Sequence, residues 1–371
     1  MKILEVTNVD FSLRHFLLPL MRALRARGHE VVGACADGDL LDTVRAEGFR
    51  VVGIPFARRI SPLAHLRAYR ALAALLRQEH FDLVHAHMPI SGFLARLAAH
   101  RANVPCIAYT SHGFLFNEEG SWLRRGVALV MEHIAGRFTD VFLTVSAEEA
   151  DDARRLRIHP HPIAVSNGRD PALFHPDAAA RQRIRAEQGT PADRVVVVAV
   201  SRLVRLKGYA ELAAAMRDVP EAELWVVGER LGSDRGDDMV ALLRAAGLGE
   251  RLRLLGYRHD VPAVLAAADI FVLPSHFEGL PMSIIEAMLT GLPVVASNIK
   301  GSREQVAAEV TGLLVTPREI MPLAAALRRL VGDAALRATM GCAGRKRALE
   351  LYDEAKVVAR TVDVLVQASV S

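Results

Sequence analysis

The sequence predicts an α/β protein with two domains, each built on a parallel sheet covered by helices. Three observations support this prediction. Short apolar runs alternate with segments of helical periodicity, the alternation restarts at Arg194 after a polar stretch, and 371 residues exceed the usual length of one such domain. Strict alternation favours parallel strands, because a parallel pair needs a crossover that is usually a right-handed helix.

The first half shows this alternation from its first residues. Apolar runs predict strands at 2–6, 30–35, 50–54, 82–87, 105–110 and 141–146. Segments with helical periodicity lie between them, at 12–28, 38–47, 91–102 and near 122–137. We therefore assign residues 1–170 to an N-terminal domain.

A segment rich in Pro, Asp and Arg follows, and we assign residues 171–192 to a linker. Strands are then predicted from 194 onwards and at 222–229, 252–257, 270–275, 293–297 and 311–315. Helices are predicted at 208–217, 236–247, 260–268, 281–290, 319–331 and 334–370. We place a second domain at 193–350 and expect residues 351–371 to form a helix that crosses back to the first domain.

The composition excludes several classes of protein. The net charge is +4 with 5% aromatic residues, which lacks the concentrated basic and aromatic patch of a nucleic-acid binder. Cys35, Cys106 and Cys342 are too few and too widely spaced for a disulfide framework, which favours a reducing compartment. We see no secretion signal and no apolar stretch near 18 residues, so we expect a cytoplasmic protein that does not span a membrane.

Two cations follow the strand that begins the second domain. Arg202 and Lys207 lie in SRLVRLKG, directly before a helix predicted to start near Gly208. Arginine offers bidentate contacts, lysine a point charge, and a helix N-terminus free N–H groups, so the three together suit a diphosphate. Ordinary surface cations on a loop are the alternative.

Two carboxylates eight residues apart form the next motif. Glu278 lies in a loop after a strand and Glu286 inside the following helix, in the apolar run SIIEAML. Together they could accept hydrogen bonds from two parts of a nucleotide sugar. The alternative, a helix with surface carboxylates, fits Glu286 poorly, because an unpaired carboxylate among apolar residues would be costly.

The segment FEGLPMSIIEAM resembles the E-x7-E motif of the retaining GT-B glycosyltransferase family 4, and SRLVRLKG resembles that family's phosphate-binding Arg and Lys. The resemblance extends over nearly the whole chain, including GRFTDVFLTVS and VSNGRDPALFHP. It implies the GT-B fold, in which two Rossmann-like domains face each other across a cleft. It also implies transfer of a sugar from a nucleotide diphosphate donor that is held mainly by the C-terminal domain.

The resemblance implies residue roles as well. Arg202 and Lys207 would bind the donor diphosphate, Glu286 the ribose, and Glu278 the transferred sugar. Further donor-binding positions are the backbone around Gly279, Leu280 and Met282 and the residues bordering the nucleotide, which are Gly228, Glu229, Tyr257 and Arg258. His112, in YTSHGFLF, would face the transferred sugar, although a histidine with a capping or core role is the alternative. The predicted catalytic residues are therefore His112, Glu278, Arg202 and Lys207.

We predict no metal and no cofactor. His85 and His87 share one face of a strand, but we find no carboxylate or cysteine that completes a ligand set with them. Enzymes of the resembled family typically stabilise the leaving diphosphate with cations and helix dipoles. The sequence therefore predicts a metal-independent reaction.

The acceptor side departs from the commonest pattern of the family, because the loop after the first strand, TNVDFSLRHF, contains no glycine. In this it resembles bacterial exopolysaccharide, capsule and O-antigen transferases, and Asp10 and Arg14 are candidate contacts for acceptor or donor. Between residues 51 and 78 the chain carries Arg58, Arg59, Arg67, Arg70 and Arg77, with Leu66, Leu72, Leu75 and Leu76 interleaved and no acid. An anionic membrane surface and a solvated helix face are equal alternatives for this segment.

The predicted function is retaining transfer from a nucleotide sugar to a glycan, with a UDP-sugar as the favoured donor and a polyprenyl-diphosphate-linked glycan as the favoured acceptor. We favour attack on the same face as the departing diphosphate, because no carboxylate is evidently placed as a nucleophile. The rivals are a nucleotide-sugar 2-epimerase, a non-catalytic scaffold and a dinucleotide-dependent oxidoreductase. The oxidoreductase lacks its G-x-G-x-x-G fingerprint.

Overall fold

A computed structural model describes residues 1–57, 61–118, 120–230, 236 and 238–369. The described chain forms two compact units, one made of residues 1–166 and 355–371 and the other of residues 167–354. Each unit has its own parallel sheet. The α/β prediction with two parallel-sheet domains is confirmed.

The first unit is built on a seven-stranded parallel sheet with the order β3-β2-β1-β4-β5-β6-β7. Its strands are β1 (Lys2–Val6), β2 (Glu30–Cys35), β3 (Arg50–Gly53), β4 (Leu83–His87), β5 (Cys106–Ser111), β6 (Val141–Thr144) and β7 (Ile163–Ala164). Its helices are α1 (Asp10–Ser12), which continues through a π-helical stretch (Leu13–Leu17) into α2 (Leu18–Ala26), α3 (Leu41–Ala46), α4 (Pro62–Gln78), α5 (Pro89–Arg101), α6 (Trp122–Gly136) and α7 (Ala147–Arg155).

The second unit is built on a six-stranded parallel sheet. Its strands are β8 (Val195–Val200), β9 (Ala222–Val227), β10 (Leu252–Gly256), β11 (Ile270–Leu273), β12 (Val294–Ser297) and β13 (Gly312–Val315). They lie in the order β10-β9-β8-β11-β12-β13. Its helices are α8 (Ala178–Gln188), α9 (Tyr209–Arg217), α10 (Met239–Ala245), α11 (Val261–Ala267), α12 (Met282–Leu289), α13 (Ser302–Gln305), α14 (Ile320–Gly332) and α15 (Ala334–Leu351).

The segment predicted as a linker, 171–192, belongs to the second unit and contains α8. This polar helix packs against α11 and lies beside Asp269, whose carboxylate accepts hydrogen bonds from Arg181 at 2.7 Å and Arg185 at 2.6 Å. Arg185 is buried, so both charges of its pair are largely removed from water and compensate each other. Ala180 and Ile184 of the same helix are also buried, so ion pairs and a small apolar contact attach it together.

The last helical segment, predicted as one helix over 334–370, is two helices. It breaks after α15, and α16 (Glu354–Ala368) follows. At the break, the backbone N–H of Arg169 donates to Tyr352 O at 3.0 Å, and that of Glu354 donates to Arg169 O at 3.1 Å. A residue nearly two hundred positions earlier thus pairs with the chain where the helix would continue.

Helix α16 is part of the first unit. Its residues Val362 and Leu365 are buried in the same core cluster as Ile3 and Leu83, on one face of the first sheet. The opposite face of that sheet is covered by α4, α5 and α6, of which α4 and α6 both pack against α5. Within the described residues, no helix combines the length and apolar composition that a membrane crossing requires.

Candidate functional site

The loops after β8 and β11 bring Lys207 and Glu278 together. Lys207 ends a 3-10 turn that precedes α9, and its Nζ donates to Glu278 Oε1 at 2.5 Å. Ser275 Oγ donates to the same carboxylate oxygen at 2.7 Å. The side chains are 18% and 10% exposed, so a charged pair lies at the carboxyl edge of the sheet with little solvent around it.

A glycine allows the two loops to approach this closely. Gly208, the residue before α9, has a φ of 72°, and a Cβ at this position would collide with the carbonyl oxygen of Pro274 after β11. The backbone N–H of His276 also donates to Leu206 O at 2.8 Å. The chain therefore fixes the spacing of Lys207 and Glu278 through backbone contacts.

Arg202 lies in the same loop, directly after β8, and its side chain is exposed. The first turn of α9 follows this loop, where backbone N–H groups lack partners within the helix. Arg202, Lys207 and the helix N-terminus therefore all belong to the segment that joins β8 to α9. Such a cationic edge suits an anionic group.

Glu286 is buried in the second turn of α12, and its partner is a residue that the sequence analysis missed. Arg169 Nε donates to Glu286 Oε1 at 2.7 Å. This pair compensates the charge of a carboxylate that would otherwise be costly among apolar residues. The signal in the sequence was indirect: an acid in an apolar helix requires a cation from elsewhere in the chain.

The positions implied around the nucleotide lie at the ends of β9 and β10. Gly228 has a φ of 133°, and a Cβ there would collide with the carbonyl oxygen of Ser201. Its N–H donates to Gly256 O at 2.8 Å, and the N–H of Tyr257 donates to Glu229 Oε1 at 3.2 Å. The loops after β8, β9 and β10 are therefore adjacent.

Arg258 is engaged with other groups. Its guanidinium donates to Glu187 at 2.6 Å and to Asp260 at 2.8 Å, and these hydrogen bonds raise its pKa. In this arrangement both carboxylates use the donors that a nucleotide phosphate would need. The structure brings Arg258 near α8 and the start of α11.

Two contacts hold the backbone of the segment that precedes α12. Leu280 is buried, and its carbonyl accepts a hydrogen bond from Asn167 Nδ2 at 2.9 Å. The carbonyl oxygen of Gly279 lies close to Gly301, and a Cβ at Gly301 would collide with it. Met282 is the first residue of α12, so the N–H groups of its first turn lack partners within the helix.

In the first unit, a buried cluster surrounds His112. Glu5 on β1 lies between two histidines of the neighbouring strand β4: His85 Nδ1 is 3.1 Å from Glu5 Oε1, and His87 Nε2 is 2.9 Å from Glu5 Oε2. His87 Nδ1 is 3.1 Å from Nε2 of His112, which follows β5 and is half-buried. His85 Nε2 is 2.8 Å from Thr110 Oγ1.

The expectation that no carboxylate completes a set with His85 and His87 is wrong. Glu5 does so, because β1 and β4 are neighbours in the sheet although 80 residues separate the side chains in the chain. The three residues offer ligand atoms within 4.8 Å of one another, a spacing that could hold a metal ion. In the structure, hydrogen bonds engage all four ring nitrogens of the two histidines.

Burial and neighbouring charges control the protonation of this cluster. Burial alone would raise the pKa of Glu5, but the charge and hydrogen bonds of His85 and His87 outweigh it and lower the pKa to about 2. Burial, followed by the charge of His85, lowers the pKa of His87 to about 4. Burial, followed by the charges of His87 and His85, lowers the pKa of His112 to about 3.

The two candidate acceptor residues lie after β1. Asp10 accepts hydrogen bonds from the backbone N–H of Phe11 at 2.8 Å and of Leu40 at 3.4 Å, and it lies against Gly38, where a Cβ would collide with the carboxylate. Asp10 thus holds the loop after β2. Arg14 is half-buried in the π-helical stretch.

Residues 51–78, for which an anionic membrane surface and a solvated helix face are equal alternatives, are only partly suited to a membrane. Leu72, Leu75 and Leu76 are buried in the core under α4, so they cannot contact a bilayer, whereas Leu66 is exposed. A mixed Arg and Leu segment does not show from sequence which leucines face the sheet. Arg58 and Arg59 lie outside the described residues.

Two family models match the chain. The model described as "Glycosyl transferases group 1" matches residues 180–347, and the model described as "Glycosyl transferase 4-like domain" matches residues 13–168. Each match lies almost entirely within one of the two units. Together they cover every strand of the two sheets except β1.

Curated relatives and solved structures extend the match. The UDP-Gal:alpha-D-GlcNAc-diphosphoundecaprenol alpha-1,3-galactosyltransferase of Escherichia coli is 32% identical over 81% of this chain and 80% of its own length. The N,N'-diacetylbacillosaminyl-diphospho-undecaprenol alpha-1,3-N-acetylgalactosaminyltransferase of Campylobacter jejuni is 26% identical over 95% of each chain. The structure of Anabaena Alr3699/HepE in complex with UDP and glucose has a TM-score of 0.85 and 25% identity over 99% of each chain. With two family models, a relative above 30% identity and this fold in common, the chain belongs to glycosyltransferase family 4 and is a glycosyltransferase with the GT-B fold.

Proposed function

We propose that this enzyme transfers a sugar from a UDP-sugar, with retention of configuration and without a metal, to a hydroxyl of a polyprenyl-diphosphate-linked glycan in bacterial cell-surface polysaccharide synthesis. The observation that carries the proposal is the contact of Lys207 with Glu278 at the carboxyl edge of the second sheet. A cation for a diphosphate and a carboxylate for sugar hydroxyls are adjacent there. The Escherichia coli relative is named for UDP-Gal and the Anabaena structure contains UDP, which supports the choice of uridine.

The chemistry follows from where charge develops. As the bond to the sugar breaks, negative charge grows on the β-phosphate of the departing UDP. Arg202, Lys207 and the N–H groups at the start of α12 stabilise this charge, and fixed donors of this kind usually supply the largest part of a rate enhancement. Glu278 accepts hydrogen bonds from the transferred sugar, and Glu286, held by Arg169, accepts them from the ribose.

The test of donor binding is thermal unfolding with UDP, GDP or ADP in the presence of a chelator. At 100 times its dissociation constant UDP should add about 2.7 kcal/mol to stability, and Lys207→Ala should lose this gain. Lys346→Ala is a matched control, because Lys346 is an exposed lysine on α15 of the same unit. Stabilisation by another nucleotide diphosphate would replace the donor in the proposal, and stabilisation by none would reject the site.

The test of the reaction uses a UDP-sugar with a polyprenyl-diphosphate-linked acceptor. We expect a new glycosidic bond with the anomeric configuration of the donor, measured by NMR on the product. An inverted product would reject retention, and loss of activity in chelator would reject metal independence. Conversion of the donor without an acceptor would favour the 2-epimerase alternative, which the family matches do not favour.

For the membrane partner we propose that helix α6 lies on an anionic bilayer at the inner face of the cytoplasmic membrane. Its outer face carries an apolar row in which Trp122 is 82% exposed, and the row continues with Leu123, Val127, Val130 and Ile134, all exposed. The helix adds the cations Arg125 and Arg124, the latter paired with Glu118 at 2.9 Å, while its one acid, Glu132, is buried against Arg96. An apolar face with cationic flanks suits an anionic interface.

Vesicle flotation tests this surface. Vesicles with anionic phosphatidylglycerol should carry the protein upward, neutral phosphatidylcholine vesicles should carry less, and Val127→Glu should abolish the difference. Val310→Glu is the matched control, because Val310 is a similarly exposed valine in the second unit. Equal flotation of the two variants would assign membrane binding to another surface or to none.

A further inference from the structure

A buried chain of hydrogen bonds leads from Glu5 through His87 to His112. Glu5 Oε2 is 2.9 Å from His87 Nε2, and His87 Nδ1 is 3.1 Å from His112 Nε2. Glu5 and His87 are buried, whereas His112 remains partly accessible. Among the residues that the structure describes, no hydrogen bond occupies the remaining ring nitrogen, Nδ1 of His112.

Glu5 determines which atom is the donor and which the acceptor in each hydrogen bond of this series. An ionised carboxylate can only accept, so the proton shared with Glu5 must belong to His87 Nε2. A neutral imidazole carries one proton, so His87 Nδ1 is then an acceptor, and His112 Nε2 must donate to it. The second oxygen of Glu5 faces His85, so both of its oxygens accept from ring nitrogens.

The protonation of the cluster agrees with this direction. The pKa of Glu5 is lowered to about 2, so it is a carboxylate at neutral pH. The pKa values of His87 and His112 are lowered to about 4 and about 3, so both rings are neutral there. Each histidine then has a single proton, and both protons are placed on Nε2.

We propose that Glu5 and His87 are positioning residues that fix His112 in the Nε2-protonated tautomer, so that its Nδ1 presents a lone pair to a hydroxyl of a substrate. The choice of tautomer stands on the hydrogen-bond chain, and the hydrogen bond to a substrate hydroxyl rests on the proposed function. In this tautomer Nδ1 of His112 accepts a proton in a hydrogen bond and cannot donate one. A substrate lacking that hydroxyl would leave the lone pair without a partner.

The tautomers can be measured without any substrate. Long-range proton–nitrogen correlation spectra of the full chain labelled with ¹⁵N-histidine distinguish protonated from bare ring nitrogens, and His112→Gln and His87→Gln identify the two signals among the 14 histidines. We expect bare Nδ1 and protonated Nε2 on both rings at neutral pH. A protonated Nδ1 on His112 would overturn the proposal, as would a metal-bound Nε2 on His87.

Glu5→Met removes the acceptor that sets the direction. We expect His112 to lose its single tautomer and populate the Nδ1-protonated form, with kcat/KM reduced about 5- to 100-fold, the range expected for a buried hydrogen bond left unmade. Glu223→Met is the matched control: Glu223 is a buried acid of the second unit that accepts from Thr190 and Trp225. It should lower stability and leave the tautomers of His87 and His112 unchanged.

The outcomes distinguish a failure of the proposed His112 tautomer from a failure of the proposed function. If Glu5→Met unfolds the protein, the spectra of the unmodified chain still decide the tautomer. If the tautomer is as expected but no UDP-sugar is turned over, the proposed function fails and the hydrogen-bond chain stands. If Glu5→Met keeps the His112 tautomer and full activity, Glu5 has only a structural role and the proposal fails.

Discussion

Replacing Glu278 with glutamine tests whether Glu278 competes with a bound diphosphate for the ammonium group of Lys207. The substitution keeps the shape of the side chain and an oxygen that can accept from Ser275, but it removes the negative charge 2.5 Å from Lys207 Nζ. With the competing anion gone, the lysine is available to a diphosphate. We therefore expect Glu278→Gln to bind UDP more tightly while it transfers sugar more slowly.

The magnitude follows from the burial of the pair. Two unit charges about 4 Å apart interact by roughly 4 kcal/mol at an effective dielectric constant near 20. Exposed pairs contribute only about 0–1 kcal/mol, and this pair, with side chains 18% and 10% exposed, lies between these limits. An intermediate value of about 1–2 kcal/mol corresponds to UDP binding that is about 5- to 30-fold tighter.

Isothermal titration calorimetry with UDP in a chelating buffer measures this effect. Lys207→Gln should weaken binding, and Glu250→Gln, a change at an exposed acid of the same unit, should leave it unchanged. If Glu278→Gln folds normally and binds UDP as the unmodified protein does, or more weakly, Lys207 does not bind the diphosphate. That result would remove the central contact from the proposed site.

Three further predictions concern residues that stabilise the two candidate sites. Arg169→Met should lower stability by about 3 kcal/mol, because it leaves the buried Glu286 carboxylate without its cation, and a urea titration measures the loss; Arg169→Lys should recover part of it. Gly228→Ala should prevent a native second unit, since its Cβ would collide with Ser201 O and its φ of 133° disfavours a side chain; a circular dichroism melt equal to the native one would contradict this. In the folded protein the pKa of His87 is lowered to about 4, from an ordinary 6.5. Between these two pH values the unfolded chain binds more protons than the folded one, so protonation of His87 favours unfolding. The contribution of His87 to stability is therefore full above pH 6.5 and is lost as pH falls towards 4. Its slope of about 1.4 kcal/mol per pH unit should be absent in His87→Gln, and equal melting profiles of the two proteins over this range would refute the assignment.

The sequence predicted the strands well and some of the helices less well. Most strands start and end within a residue or two of their predicted bounds, because a buried parallel strand is a compact apolar run between polar loops. Helix α8 was missed because its sequence is mostly polar: only Ala180 and Ile184 form its buried apolar row, and Arg185 adds an ion pair with Asp269. The break after α15 was missed because it depends on Arg169, which no local pattern near Tyr352 records.

In the candidate sites, too, some features could be predicted from the sequence and others are visible only in the structure. Lys207 and Glu278 were assigned to one donor site through the resemblance to the family, and the structure shows that they follow the neighbouring strands β8 and β11. Glu5 was overlooked although an acid inside an apolar strand requires a partner, the same argument that singled out Glu286. Its partners, His85 and His87, come from a strand 80 residues away, and only the order of the strands reveals them.

The place of α16 determines when the first unit can be completed during synthesis. The ribosome makes residues 167–354 before it makes this helix, yet Val362 and Leu365 complete the core that contains Ile3 and Leu83. Until then, the nascent first unit exposes an apolar surface on one face of its sheet while the second unit already has its whole sequence. The usual order, in which an N-terminal domain folds first, is therefore reversed for its final step, and a chaperone that covers this surface would act until α16 has been made.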